Sequence, residues 1–243
     1  YTYIESWTLG YSFFALLGKY EGIKTQAGMQ SFLSAYQGLE KNQFFNSILP
    51  SYIFFLITFI SNIVVVYFGV SGGTEKLCKI AMPVLLIAGI IMTIRVLTLG
   101  IPNLSKPDWN LVNGLGFLWN PDFSVLKSAK VWLAAAGQIL FTLSVGIGVI
   151  LTYASYLKKA DDVALSGLTA VSTNEFAEVI LGGSIVIPAA YVFFGPVEIA
   201  NIAKSGAFNL GFITMPLILQ QINFSAFFGF VWFLLLFLAG ITS

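Results

Sequence analysis

"GQILFTLSVGIGVILTYASYLKK", residues 137–159, decides how the chain is read. Leu140 to Ile150 is apolar enough to lie in a bilayer as helix. Yet Thr142, Ser144, Gly146 and Gly148 interrupt it with hydroxyls and with residues that weaken helices. Two readings fit these four residues. Isolated glycines mark close packing between membrane helices. Their arrival together in mid-span, with Gln138 one turn above Thr142, is better explained by a transmembrane helix broken at about residues 144–148. Unwound backbone leaves carbonyls open to cations or ammonium groups, and half-helix ends offer their dipoles.

The surrounding composition sets the class. Of the 243 residues, 57% are hydrophobic and 9% charged, with a mean hydropathy of +0.86, whereas a soluble domain carries roughly 25% charged residues. Apolar segments at about 1–18, 48–71, 77–99, 131–156, 165–195 and 225–243 approach the roughly 20 residues that cross a bilayer as helix. They are too long and too uniformly apolar for the alternating strands of a barrel. The fold class is therefore an all-α polytopic membrane protein. The short connections, 72–76 and 157–164, hold Lys76, Lys158 and Lys159, with Lys79 just beyond; lysines are sparser in the long connections 19–47, 100–130 and 196–224. Lysine density places the short loops in the cytoplasm and the long loops outside, where pieces such as "VEIANIAKSGAF" (197–208) are expected as surface helices. The chain opens on "YTYIESW" and ends on "FLLLFLAGITS", without an initiator Met or signal peptide, and is read as a piece of a longer protein.

Several functions fall away. A net charge of +1 gives no electrostatic case for nucleic acid. Without histidine there is no Ser-His triad, no His-ligated metal and no imidazole switch. Cys78 alone forms no internal disulfide and reads as a small apolar residue near a helix end.

Ionisable groups inside spans cost roughly 2.5–3.5 kcal/mol on insertion scales and so point to function. Arg95, close to Gly100, is explained by snorkelling. Glu5 and Glu178 are not. Asn174 and Glu178 stand four apart on one helix face; the alternative has "STNEFAE" (172–178) capping a helix outside the membrane, with the span starting at Val179. Threonine and asparagine oxygens suit a hard cation such as Na⁺. Thr242 and Ser243, one turn after the small Ala239, repeat the pattern, with back-bonding to a helix carbonyl as the alternative.

"YIESWTLG" (3–10), "KIAMP" (79–83), "FLWNPDF" (117–123), "AAAGQILFTLSVGIG" (134–148), "TYASY" (152–156), "NEFAEVILGGS" (174–184), "SGAFNLGFIT" (205–214) and "AGITS" (239–243) closely resemble the neurotransmitter:sodium symporter family. The resemblance runs from end to end and in order. It implies spans three to the first half of eight of a twelve-span protein, part of a fold of two inverted five-helix repeats with substrate and ions at the midplane. It further implies that Tyr1, Phe141, Thr142, Ser144, Ile147 and Ser243 belong to the substrate site. Tyr1 would contact the substrate carboxylate and Phe141 would lie over the substrate as a lid. The carbonyls of Phe141 and Thr142, with the Ser144 hydroxyl, would cradle its ammonium. Thr142 and Asn174 match ligands of one sodium site; Ala239, Thr242 and Ser243 match part of a second. Both Na⁺ sites would be incomplete in this chain, because helix one and the outer gate lie elsewhere. Glu178 and Gln138 fall where chloride-dependent members hold chloride, which implies a fixed counter-charge instead. Ser155 and Tyr156 resemble a cytoplasmic gate. Ile147 departs from the pattern, standing where a bacterial amino-acid transporter of the family has a pocket phenylalanine.

The expected function is thus sodium-coupled import of a small, mostly apolar amino acid by alternating access, independent of chloride, in the plasma (cell inner) membrane. The expected partners are the amino acid and the lipid bilayer; the resemblance leaves room for a homo-oligomer. A channel or passive pore is the alternative, but no repeated carbonyl or charged ring suggests a filter. An enzyme is not expected, since no acid–base constellation is present.

Overall fold

The computed structural model describes residues 1–100, 104–146, 148–204 and 206–242, with the side chain of Ala203 left out. All regular structure among them is helical. In chain order the helices are α1 (Thr2–Leu16), α2 (Gln26–Tyr36), α3 (Leu49–Tyr67), α4 (Glu75–Leu97), α5 (Leu111–Trp119), α6 (Ala129–Thr142), α7 (Val149–Ala154), α8 (Val163–Glu175), α9 (Gly183–Lys204), α10 (Ala207–Asn209), α11 (Met215–Leu219) and α12 (Ser225–Ile241). Widened π turns at Val70–Thr74, Phe176–Gly182 and Leu210–Thr214 join α3 to α4, α8 to α9 and α10 to α11. In lipid, helix is the open-ended structure that satisfies its own backbone, which is why the apolar runs adopt it.

Three helical stretches are long and apolar enough to cross a membrane: Leu49–Tyr67, Val70–Leu97 and Val163–Ile202. Ala129–Thr142 and Ser225–Ile241 are apolar but shorter. The sequence around residues 131–156 is two helices, α6 ending at Thr142 and α7 beginning at Val149. The other breaks have local causes too. Pro188 and Pro196 lie within α9, and Gly195, at φ 78 and ψ 175, kinks it. The kink divides two helices, so the segment from Pro196 to Lys204 is a helix of its own.

The core forms where α1 is held between α3 and α12, with α2 and the 210–219 segment closing one end. Its centre is aromatic. Tyr11 is fully buried, with ring centroids 4.9 Å from Phe233, 5.2 Å from Phe212 and 5.6 Å from Phe32. Edge-on and tilted contacts of this kind suit the ring quadrupoles. Small residues let the backbones approach. A Cβ on Gly229 would stand 2.9 Å from that of Ala15. By contrast α6, α7 and α8 contribute no buried residue and lie at the open side of the bundle.

The turn between α3 and α4 is the tightest backbone contact. Gly69 has φ 71, and a Cβ on Gly73 would lie 1.9 Å from the Val65 carbonyl oxygen. Main chain cannot rotate away as a side-chain tip can. Gly73→Ala is therefore expected to destabilise the full-length protein by roughly 1–3 kcal/mol, seen as a lower melting temperature in detergent. An unchanged melting temperature would show that the hairpin has slack here.

Candidate functional site

The broken helix has an identifiable stop. Ser144 takes a left-handed backbone, φ 54, after α6 ends at Thr142. Its N–H donates to the Phe141 carbonyl (3.0 Å), and the Val145 N–H reaches back to the Leu140 carbonyl (2.9 Å). That pair of bonds is the Schellman pattern, with serine in the position glycine usually takes. Gly146 (φ 89) and Gly148 (φ 87) are also left-handed, and α7 resumes at Val149. The low helix propensity read from the sequence thus ends in real backbone reversal.

α6 delivers two polar side chains to the last turn before the break. Gln138 Nε2 donates to Glu178 Oε1 (2.5 Å), and the Thr142 hydroxyl donates to Glu178 Oε2. Asn174 Nδ2 donates to Thr142 Oγ1 (3.0 Å) and more weakly to Glu178 Oε2 (3.4 Å). These four residues, at spacings of 32 to 40 along the chain across the two helices, form one network. Glu178 sits in the π turn Phe176–Gly182, a widening often found at functional positions. The helix carrying it starts far earlier, where the Asp162 side chain caps α8 by accepting from Leu165 N–H (2.9 Å). The reading of 172–178 as an external cap is overturned by that start. Glu178 and Asn174 lie well inside the apolar stretch Val163–Ile202.

Among the described residues no Lys or Arg forms an ion pair with Glu178. The ion pair among the described residues is Lys79 with Glu75, at the start of α4. A carboxylate surrounded by neutral donors and hydroxyl and amide oxygens is a hard donor set, which fits a cation such as Na⁺.

A cavity of about 680 Å³ extends this cluster toward α12. Asn174 and Glu178 line one part of it, Ala239 and Thr242 another, with Met82 and Gly89 of α4 between. The Thr242 hydroxyl donates back to the Leu238 carbonyl (2.7 Å) and stands 3.4 Å from that of Ala239. Back-bonding uses its proton and leaves its oxygen lone pairs to face the cavity.

The remaining candidates are more dispersed. Tyr1 is 76% exposed and Phe141 78% exposed. The Phe141 carbonyl is already capped by Ser144 N–H. Ser155 donates to the Thr152 carbonyl (2.6 Å), while Tyr156 lines a separate groove of about 320 Å³ with Val66, Gly69 and Thr74. Ile147 and Ser243 lie outside the described residues. Arg95 is half-buried near the end of α4, its Nη1 3.4 Å from Thr98 Oγ1 and its guanidinium 5.7 Å from the Phe228 ring centroid. Sequence reasoning missed Asn62, whose Nδ2 donates to Glu5 Oε2 (2.8 Å). An asparagine within "FISNIVVVY" was the available signal.

A bundle of apolar helices, three of its stretches of membrane length among the described residues, with a break between α6 and α7 beside a carboxylate network and a cavity, defines a polytopic transporter-like membrane protein. The sequence pattern of the sodium:neurotransmitter symporter family matches residues 29–243, and the chain belongs to that family. It is 34% identical over 176 residues to an uncharacterised sodium-dependent transporter of Methanocaldococcus jannaschii, covering 72% of this chain and 34% of that relative. It is 33% identical to an uncharacterised sodium-dependent transporter of Bacillus subtilis, covering 74% of this chain and 36% of that protein. It is 29% identical to the sodium-dependent serotonin transporter of Drosophila melanogaster, covering 74% of this chain and 28% of that one. The chain spans about a third of the length of the curated relatives it matches.

The left-handed break gives a direct test. A Cβ on Gly148 would meet open space, so only its φ of 87 opposes a side chain. Gly148→Ala is expected to cost about 1 kcal/mol, read as a melting-temperature drop of a few degrees in the full-length protein. No drop would mean that the helix continues through residue 148.

Proposed function

We propose that this chain forms the substrate- and ion-binding part of a sodium-coupled symporter that imports a small, mostly apolar amino acid by alternating access, in the plasma membrane. The observation that carries this reading is the network of Gln138, Thr142, Asn174 and Glu178 beside the broken helix. Family membership and the sodium dependence named for its relatives support it.

Each residue has a chemical task in this reading. Thr142 Oγ1 and the Asn174 amide oxygen supply neutral oxygens to one sodium ion. Ala239 and Thr242, with Ser243, supply oxygens to a second. The unwound backbone after Thr142 offers carbonyl dipoles to the substrate ammonium, and its glycines let the two half-helices tilt independently. Phe141 and Tyr1 close over the substrate when the outer side shuts. Ser155 and Tyr156 act at the cytoplasmic exit.

Glu178 has an electrostatic role. Two sodium ions beside a zwitterion leave excess positive charge where the dielectric is low, and an anion held nearby offsets it. A carboxylate fixed by three donors does this permanently, so no chloride is needed.

Two measurements test the reading in reconstituted full-length protein. Asn174→Ala removes a sodium ligand and an amide donor, and should raise the Na⁺ concentration for half-maximal uptake about tenfold. Unchanged Na⁺ dependence would remove Asn174 from the site. Glu178→Ser should make uptake require chloride when gluconate is the alternative anion, while the parent protein transports equally in both. A parent protein that stalls in gluconate would rule out Glu178 as the counter-charge.

A further inference from the structure

A second carboxyl group lies in the apolar interior, outside the network around Glu178. Glu5 of α1 is 4% exposed and points between α3 and α12. Its Oε2 accepts from Asn62 Nδ2 of α3 (2.8 Å). Its Oε1 is sealed from solvent and has no hydrogen-bond partner among the described residues. Thr58, one turn before Asn62 on the same face of α3, is fully buried, and its hydroxyl oxygen is unpartnered too. The buried serine and threonine hydroxyls of α1 are committed to the backbone: Ser6 donates to the Tyr3 carbonyl, Thr8 to that of Glu5 and Ser12 to that of Leu9. No Lys or Arg lies within ion-pair distance of Glu5 among the described residues.

A buried carboxylate with one amide donor and one bare oxygen is stabilised by a positive partner. The contact with α12 indicates where that partner sits. The stem of Glu5 lies on Gly240, where a Cβ would stand 3.0 Å from Glu5 Cγ and 3.7 Å from the carboxyl carbon. Because residue 240 has no side chain, nothing separates the carboxyl group from the α12 backbone. Gly240 follows Ala239 directly and precedes Thr242 by two residues, and both of those line the large cavity. The bond from Asn62 holds the carboxylate against this turn.

We propose that Glu5 is the counter-charge for the cation bound beside Ala239 and Thr242 on α12. It acts across Gly240 without being a ligand, through a medium where charges are weakly screened. The proposal rests on the reading that α12 holds a sodium ion. It gives each of the two cation positions its own carboxylate: Glu178 for the Thr142–Asn174 side and Glu5 for the α12 side.

The test is sodium binding by purified full-length protein, followed as ²²Na⁺ at equilibrium and as the rise in melting temperature with Na⁺, alongside uptake. Glu5→Gln keeps the shape and still accepts from Asn62. It is expected to weaken one class of Na⁺ binding about tenfold, with substrate affinity at saturating Na⁺ unchanged. Glu5→Asp keeps the charge and should stay within about threefold of the parent. Parent-like Na⁺ binding by Glu5→Gln would overturn the proposal, as would an equal loss in Glu5→Asp, which would make shape the cause. The shorter pair, Glu5→Asp against Glu5→Asn, makes the same comparison if Glu5→Gln does not fold. Thr242→Ala separates the two layers of the argument. If it weakens Na⁺ binding while Glu5→Gln does not, the α12 site stands and the counter-charge falls. If Thr242→Ala has no effect, the α12 site falls and the proposal with it.

Discussion

Lipid offers a backbone no hydrogen-bond partner, so every break in a membrane helix must be closed from within. That constraint explains the form of the break after Thr142. The left-handed Ser144 turns its own N–H and that of Val145 back onto the carbonyls of Phe141 and Leu140. The turn also stops α6 with Gln138 and Thr142 on its final two turns, where both side chains reach Glu178. The break and the polar network are one feature, and the open side of the bundle is arranged around it.

The sequence made the break legible because Thr142, Ser144, Gly146 and Gly148 are weak helix formers clustered inside an apolar run. It also placed Asn174 and Glu178 on one face. It could not reveal that Ser144 rather than a glycine would take the first left-handed position, since serine there depends on the two capping bonds. Nor could it separate a capped helix end at 172–178 from a helix interior. The deciding residue, Asp162, lies a full helix earlier and acts through Leu165 N–H. The π turn at Phe176–Gly182 was equally hidden, because widened turns have no periodicity of their own to read. Long-range pairs were the hardest. Asn62 and Glu5 are 57 residues apart, and nothing in either local sequence names the other.

Length was a further point of tension between pattern and structure. Six apolar segments suggest six crossings, yet three helical stretches reach membrane length on their own. The shortfall is physical. The segment at 131–156 is divided by its own break, and α1 and α12 are helices of 15 and 17 residues. Hydropathy measures whether a segment tolerates lipid; it does not measure whether the helix is continuous.

The two carboxyl groups Glu178 and Glu5 show how environment assigns different work to one side-chain type. Glu178 receives donors on both oxygens, from Gln138 on one and from Thr142 and Asn174 on the other. Its geometry is fixed by neighbours that themselves carry hydroxyl and amide oxygens, so it organises the polar cluster around it. Glu5 receives a single donor and is otherwise enclosed by helix backbone and apolar packing. It organises nothing around itself, and its contribution is charge delivered at a chosen place on α12. Gly240 decides that place: any larger residue would push the carboxyl group away from the turn that carries Ala239 and Thr242. A glycine in an apolar helix is usually explained by close helix packing. Here the packing partner is the stem of a buried acid, so the closeness of the two helices sets the distance between a charge and a cavity.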